Sequence, residues 1–217
     1  MNPFQSGRFL LTAAVLLILV GCAHTGTYNA GYLAAARRPA AVPSEGRVLV
    51  VTTEQEDAYV YSGHPTSFTG AATTLTVPLG IILKEATIAA FADAFHGGAE
   101  ASSSVHDADR FVAVVSPHPV SFTYEYNQLK NVGFAITPTA VVSIDVRVLD
   151  GANATRWHKV YASGPVEGPS YMLNTSPQEE IVKVTHKAAY DLMAKAAVDV
   201  SAEVVANRTA PAAPEAK

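Results

Sequence analysis

Ser176-Pro177-Gln178-Glu179 opens the strongest element in this chain. A serine cap, a first-turn proline and a glutamate three residues past the cap are what a helix start asks for. Behind them Ile181, Val184, Ala188, Leu192, Ala196, Val200 and Val204 recur on one face. The spacing predicts a helix of about 28 residues, roughly 40 Å long at 1.5 Å per residue. Its stripe is mostly alanine and valine, so backbone can approach it closely. Such a face is buried against a second layer, which the remaining chain has to supply.

That layer reads as a sheet. Arg47 to Thr53 is a β-branched run that is apolar on both parities, as in a strand covered on both faces. Ala58–Tyr61 and Thr73–Val77 read as short strands around a turn-rich segment. From Leu79 a helix is expected, with Ile81, Ile82, Ile88, Phe91, Ala92 and Phe95 near helical spacing and Gly97-Gly98 as its stop. Phe111–Val115 reads as a buried strand ended by Pro117 and Pro119. Val120, Phe122, Tyr124 and Tyr126 then alternate with polar residues. Ala140 to Val148 forms a longer strand, and Asp150-Gly151 with Asn153 turns it into a return strand over Arg156–Ser163. Trp157 and Tyr161 share one face of that return. The expected fold class is α+β, an antiparallel or mixed sheet with two helices packed on one face, the C-terminal one long.

The domain organisation follows from the flanks. Residues 1–21 read as a removed targeting peptide, 22–46 as a flexible tether, 47–206 as a single globular domain and 207–217 as a disordered tail. The tether carries Gly26, Gly31, Pro39, Pro43 and many alanines without a period. Treated as flexible, it reaches roughly 25 Å. Arg37-Arg38 reads as solvated linker charge.

Little in the sequence points to catalysis. There is no Gly-x-Ser-x-Gly nucleophile turn and no glycine-rich phosphate loop. Among the seven histidines no two lie three or four apart, the spacing a helical zinc site wants. His96 and His106, with Asp107 or Asp109, are the nearest thing to a ligand set and read better as loop histidines. Glu54, Glu56 and Asp57 lack calcium-loop spacing. No cofactor and no metal are expected. The net charge of −4 without a basic stripe argues against nucleic acid.

One segment stands apart. Ala58 to Leu83 contains no aspartate, glutamate, lysine or arginine, although charged residues make up 16% of the chain. A loop that needs only solubility usually carries charge. An uncharged, hydroxyl-rich hairpin either folds back on its own sheet or presses against another protein, glycan or lipid surface. His64, Thr66, Phe68 and Thr69 are the candidate partner surface.

The N-terminus carries the one specific motif. Arg8 precedes an apolar run from Phe9 to Val20, about a dozen residues where a membrane-spanning helix needs about 20. The run closes on Leu19-Val20-Gly21-Cys22, which resembles the bacterial lipoprotein signal, the lipobox. The resemblance implies that Cys22, the only cysteine, receives a diacylglycerol and palmitate and becomes the first mature residue. Ala23 in place of an aspartate implies the outer membrane, on its periplasmic face. Each buried CH₂ contributes about 0.8 kcal/mol, so several acyl chains hold a protein firmly.

The strand–helix–strands–helix order over Arg47 to Ala206 resembles, in topology, small outer-membrane accessory lipoproteins. These are the YajG-like proteins, the lipopolysaccharide-assembly lipoprotein and the auxiliary lipoproteins of ABC transport. The resemblance implies a non-enzymatic accessory in envelope assembly or transport that docks on a larger protein complex. The alternative is a periplasmic binding module for an apolar or glycan ligand, using Phe122, Tyr124 and Tyr126.

Overall fold

The computed structural model describes residues 23–39, 42–128, 135–172 and 176–209. Residues 1–22, with the expected targeting peptide and Cys22, and the tail from residue 210 lie outside the described residues. The fold is α+β. Its main sheet is built on a long hairpin of β6 (Ala113–Asn127) and β7 (Ala135–Leu149). On one side of β6 lies β2 (Val48–Val51), parallel to it, and then β5 (Ala99–Ser102), parallel to β2. Along the outer edge of β7, three short strands pair end to end: β8 (Thr155–Ala162), β9 (Val166–Glu167) and β10 (Tyr171–Met172). A second sheet places β4 (Thr74–Val77) between β1 (Ala23–Thr25), parallel to it, and β3 (Tyr61–Gly63), antiparallel.

Helix α3 (Leu79–Ala94) and helix α4 (Pro177–Thr209) pack on one face of the main sheet. The stripe of α4 is buried as its spacing requires, with Ile181, Ala188, Ala196 and Val200 fully covered. The helix runs on to Thr209, past Ala206, where the sequence reading ends it. Val48 joins the core beneath the helices, while Leu49 and Val51 join Phe111 and Val114 in a smaller cluster on the opposite face. That is why the Arg47–Thr53 run is apolar on both parities.

Two local expectations need correction. Ala58–Val60 is not strand: Glu54–Asp57 forms a one-turn helix α2, closed by a capping box between Thr53 and Glu56, and β3 begins only at Tyr61. The acidic cluster therefore serves a helix start. Pro117 and Pro119 do not end a strand either, because β6 continues through both, opposite Val146 and Ile144. They lie beyond the last β2 rung at Val50 and Val115, where that side of β6 is an edge and a missing N–H costs nothing.

The largest departure is the N-terminal segment. Where the sequence suggests a flexible tether, Ala23–Thr25 is a strand and Ala30–Ala36 is helix α1, capped by Asn29. Gly26 sits so close to Val182 of α4 that a Cβ would overlap it. Leu33 and Ala36 are buried, and Tyr28 and Tyr32 pack on the ring of His186. Arg37 is not free linker charge, because it pairs with Asp93 of α3. The segment is held by contacts distant in sequence, which no local period reveals.

Candidate functional site

The uncharged segment folds back on the sheet, and its tip is left facing solvent. Tyr124 Oη donates to Gly63 O at 3.0 Å, and the Thr66 amide donates to Tyr124 O at 2.8 Å. The Tyr126 amide donates to Ser67 Oγ at 2.9 Å. Thr69 Oγ1 donates to Gln128 Oε1, and His64 Nδ1 lies 2.9 Å from Thr73 O. Loop 64–73 is therefore pinned to the end of β6 by the Thr66 amide and by the Ser67 and Thr69 side chains. From this braced loop Phe68 projects with 97% of its surface exposed. A phenylalanine so exposed, on a loop that is hydrogen-bonded in place, is available for burial at little ordering cost.

The four predicted partner residues do share this loop. His64 and Thr66 are exposed, Thr69 is half-buried, and only Phe68 presents a large apolar surface. The aromatic stripe of Phe122, Tyr124 and Tyr126 lies elsewhere: all three rings are in the core, Tyr61 against Phe122 at 4.7 Å and Tyr124 against Tyr126 at 5.6 Å. Burial raises the Tyr124 and Tyr126 phenols well above their ordinary range. Of the three, only Tyr126 reaches a cavity, a small one of about 110 Å³ beside Thr69 and Ile136.

A second feature lies on the open face of the sheet. Beyond the ends of β2 and β5, a groove of about 490 Å³ is lined by Thr53, Glu56, Ser104, Ser116, His118 and Arg147, among others. His118 Nδ1 stands 2.6 Å from Glu56 Oε1, and Glu56 also accepts from the Thr53 amide and hydroxyl. Arg147 Nε donates to Asp145 Oδ2 at 2.8 Å, and His158 approaches the other Asp145 oxygen at 3.3 Å. Burial works against the Asp145 carboxylate, yet the hydrogen bonds and charges of Arg147 and His158 hold its pKa below the ordinary value. Ser116 Oγ donates to Val51 O at 2.8 Å, not to His118. The groove thus has hydroxyls, a guanidinium and an imidazole for holding a polar ligand. The Thr53 hydroxyl that donates to the Glu56 carboxylate at 2.9 Å is held within the capping box that opens α2.

No local run of sequence announces this groove. His118-Pro119 looks like a turn, and Glu56 is far from it in the chain. The usable signal was parity: Asp145 and Arg147 alternate with apolar residues in β7 and so share the face away from the helices. The histidines considered as ligands do not converge. His96 faces Glu45 at 3.9 Å, while His106 bonds Ser102 and Ser104. Among the described residues no group of three His, Cys, Asp or Glu side chains is placed to hold a metal ion. No described helix is long and apolar enough to cross a membrane.

No family model matches the chain, and no curated protein matches it. Solved structures do. A Helicobacter pylori homolog of neuraminyllactose-binding hemagglutinin aligns with a TM-score of 0.48 at 7% identity, over 79% of this chain and 96% of that one. A Xanthomonas campestris protein of DUF330 aligns with a TM-score of 0.47 at 10% identity, over 86% and 96%. An uncharacterized lipoprotein B from Nitrosomonas europaea aligns with a TM-score of 0.33 at 14% identity, over 80% and 93%.

Proposed function

We propose that the protein is a lipid-anchored accessory of the bacterial envelope that works by docking rather than turnover. In this reading Cys22 is acylated, the module sits on the periplasmic face of the outer membrane, and it serves a larger assembly or transport complex. The observation that carries the reading is a pair of apolar side chains that the fold leaves uncovered, Val160 on the outer strand β8 and Phe68 at the tip of the braced loop. The lipobox supports the anchor. Ser116 donates to a backbone carbonyl and not to His118, which supports binding over catalysis.

Cys22→Ser tests the anchor. The expected result is loss of palmitate incorporation and of membrane pelleting; retention of both overturns it. Docking is tested with a photo-crosslinking residue at Val160, exposed on β8. Discrete protein adducts in intact cells are expected, and their absence removes the complex.

The alternative, a periplasmic binding module, now rests on the polar groove rather than the aromatic stripe. Its hydroxyls and Arg147 suit a glycan and do not suit an apolar ligand. A bound sugar in native mass spectrometry, lost in Arg147→Ala, would favour it.

A further inference from the structure

The N-terminal segment has a consequence for where the membrane lies. A tether would let the domain stand off from its anchor, but Ala23 already belongs to the fold, paired with Thr74 in the second sheet. Cys22 is one peptide bond away, and consecutive Cα atoms are about 3.8 Å apart. Acyl chains on Cys22 therefore bring with them whatever surrounds Ala23.

Loop 64–73 surrounds it. Strands β1 and β4 run parallel, so the chain enters β1 from Cys22 at the same end at which it enters β4 from Thr73. His24, Thr69, Gly70, Thr73 and Tyr171 line one small cavity of about 110 Å³, which places β10 at that end too. Two large apolar side chains are exposed there, Phe68 at 97% and Met172 at 56%. No formal charge occurs from Ala58 to Leu83.

We infer that loop 64–73 rests on the lipid surface that holds Cys22, with Phe68 buried at the boundary between headgroups and acyl chains. This rests on the acylation proposed above and specifies what covers the loop. A lipid surface fits better than a protein partner for two reasons. Its position next to the loop follows from the anchor without a second binding event. The loop also offers a single apolar plug with hydroxyls around it, as an interface between water and hydrocarbon requires, rather than a patterned set of charges. The polar groove, near the opposite end of the β6–β7 hairpin, is left facing away from the bilayer.

The chain contains its own control. Its single tryptophan, Trp157, pairs with Val148, roughly 40 Å along β7 from Ala135 at about 3.3 Å per residue. Full-length protein carrying Phe68→Trp in a Trp157→Phe background is purified from envelopes and reconstituted into phosphatidylcholine vesicles, with and without brominated acyl chains. The mass of the N-terminal peptide is read from the same preparation. For tryptophan at the hydrocarbon boundary, brominated lipid is expected to lower emission about two-fold or more while aqueous iodide has little effect. Trp157 in the parent chain is expected to show no bromolipid quenching. An acylated preparation in which the residue-68 tryptophan is quenched by iodide and untouched by brominated lipid overturns the inference and leaves the anchor standing. If photo-crosslinks from position 68 then capture a discrete protein, the loop is a protein-docking surface. An N-terminal peptide without acyl groups overturns the anchor, and the inference falls with it.

Discussion

Arg37 grips the carboxylate of Asp93 with Nε at 2.9 Å and with Nη2, and Tyr190 Oη donates to the same carboxylate at 2.9 Å. The Arg38 amide in turn donates to Tyr190 Oη at 2.8 Å. This knot joins the N-terminal segment to both long helices, and it turns an apparent linker into part of the domain.

Arg37→Ala leaves the Asp93 carboxylate, whose side chain is 7% exposed, without its cation. A fully buried pair loses 3–5 kcal/mol this way. The half-exposed Arg37 reduces the expected loss to about 2 kcal/mol, a fall in Tm of about 4–8 °C by calorimetry. The acid limb is also expected to change. Burial disfavours the Asp93 carboxylate, but Arg37 and Tyr190 more than offset this and lower its pKa. The stabilisation is complete above the unfolded value near pH 4 and is lost as pH falls through the folded value. The variant loses that dependence, and an unchanged acid unfolding curve would refute the role given to the pair.

His186 tests the other side of the same segment. Its Nδ1 lies 2.8 Å from Val182 O and donates to it, while the buried Nε2 has no partner. Burial lowers its pKa, so the folded state prefers the neutral ring. Stability is then full above the unfolded value near pH 6.5 and falls as pH drops toward the folded value, by at most about 1.4 kcal/mol per pH unit. His186→Leu removes the unpaired nitrogen and is expected to flatten the Tm profile between pH 5 and pH 7, a window taken from the ordinary histidine pKa of about 6.5. A profile as steep as that of the parent would show that other groups titrate there.

Gly26→Val drives a branched side chain into Val182 and toward Thr76 O. Overpacking of this kind costs about 1–3 kcal/mol. The strain falls on β1, so limited proteolysis is expected to cut between Gly26 and Asn29 in the variant and not in the parent. Equal resistance would mean that β1 tolerates displacement.

Loop bracing and loop exposure are separable. Ser67→Ala removes the acceptor of the Tyr126 amide. A net loss of about 1 kcal/mol corresponds to hydrogen exchange of that amide about five-fold faster. Phe68→Ala, in contrast, changes Tm by less than the equivalent of about 0.5 kcal/mol, because nothing in the folded domain buries the ring. A large loss from Phe68→Ala would show that the ring packs at home.

Strand and helix periods are local properties, and they are legible. The long strand through Ala140–Val148, the turn at Asp150–Asn153 and the buried stripe of α4 stand where the residues predict, while in α3 Ile82, Phe91 and Phe95 are buried and Ile81, Ile88 and Ala92 are only partly covered. The missing charge between Ala58 and Leu83 likewise singled out a loop that the fold leaves exposed at Phe68. Pro117 and Pro119 misled, since whether a proline breaks a strand depends on which neighbour stands beside it, and β2 stops short of both.

What the chain determined alone was therefore most of its element types and the faces that they bury. Only the tertiary structure decided that the stretch after Cys22 has no slack. The seven-residue α1 is too short to hold itself in water and carries no period to announce it. Its stability comes from Asp93, Tyr190, Val182 and His186, and pairings across such separations appear in no local window of sequence. The same holds for the Glu56–His118 groove, whose two partners meet only after the sheet has formed.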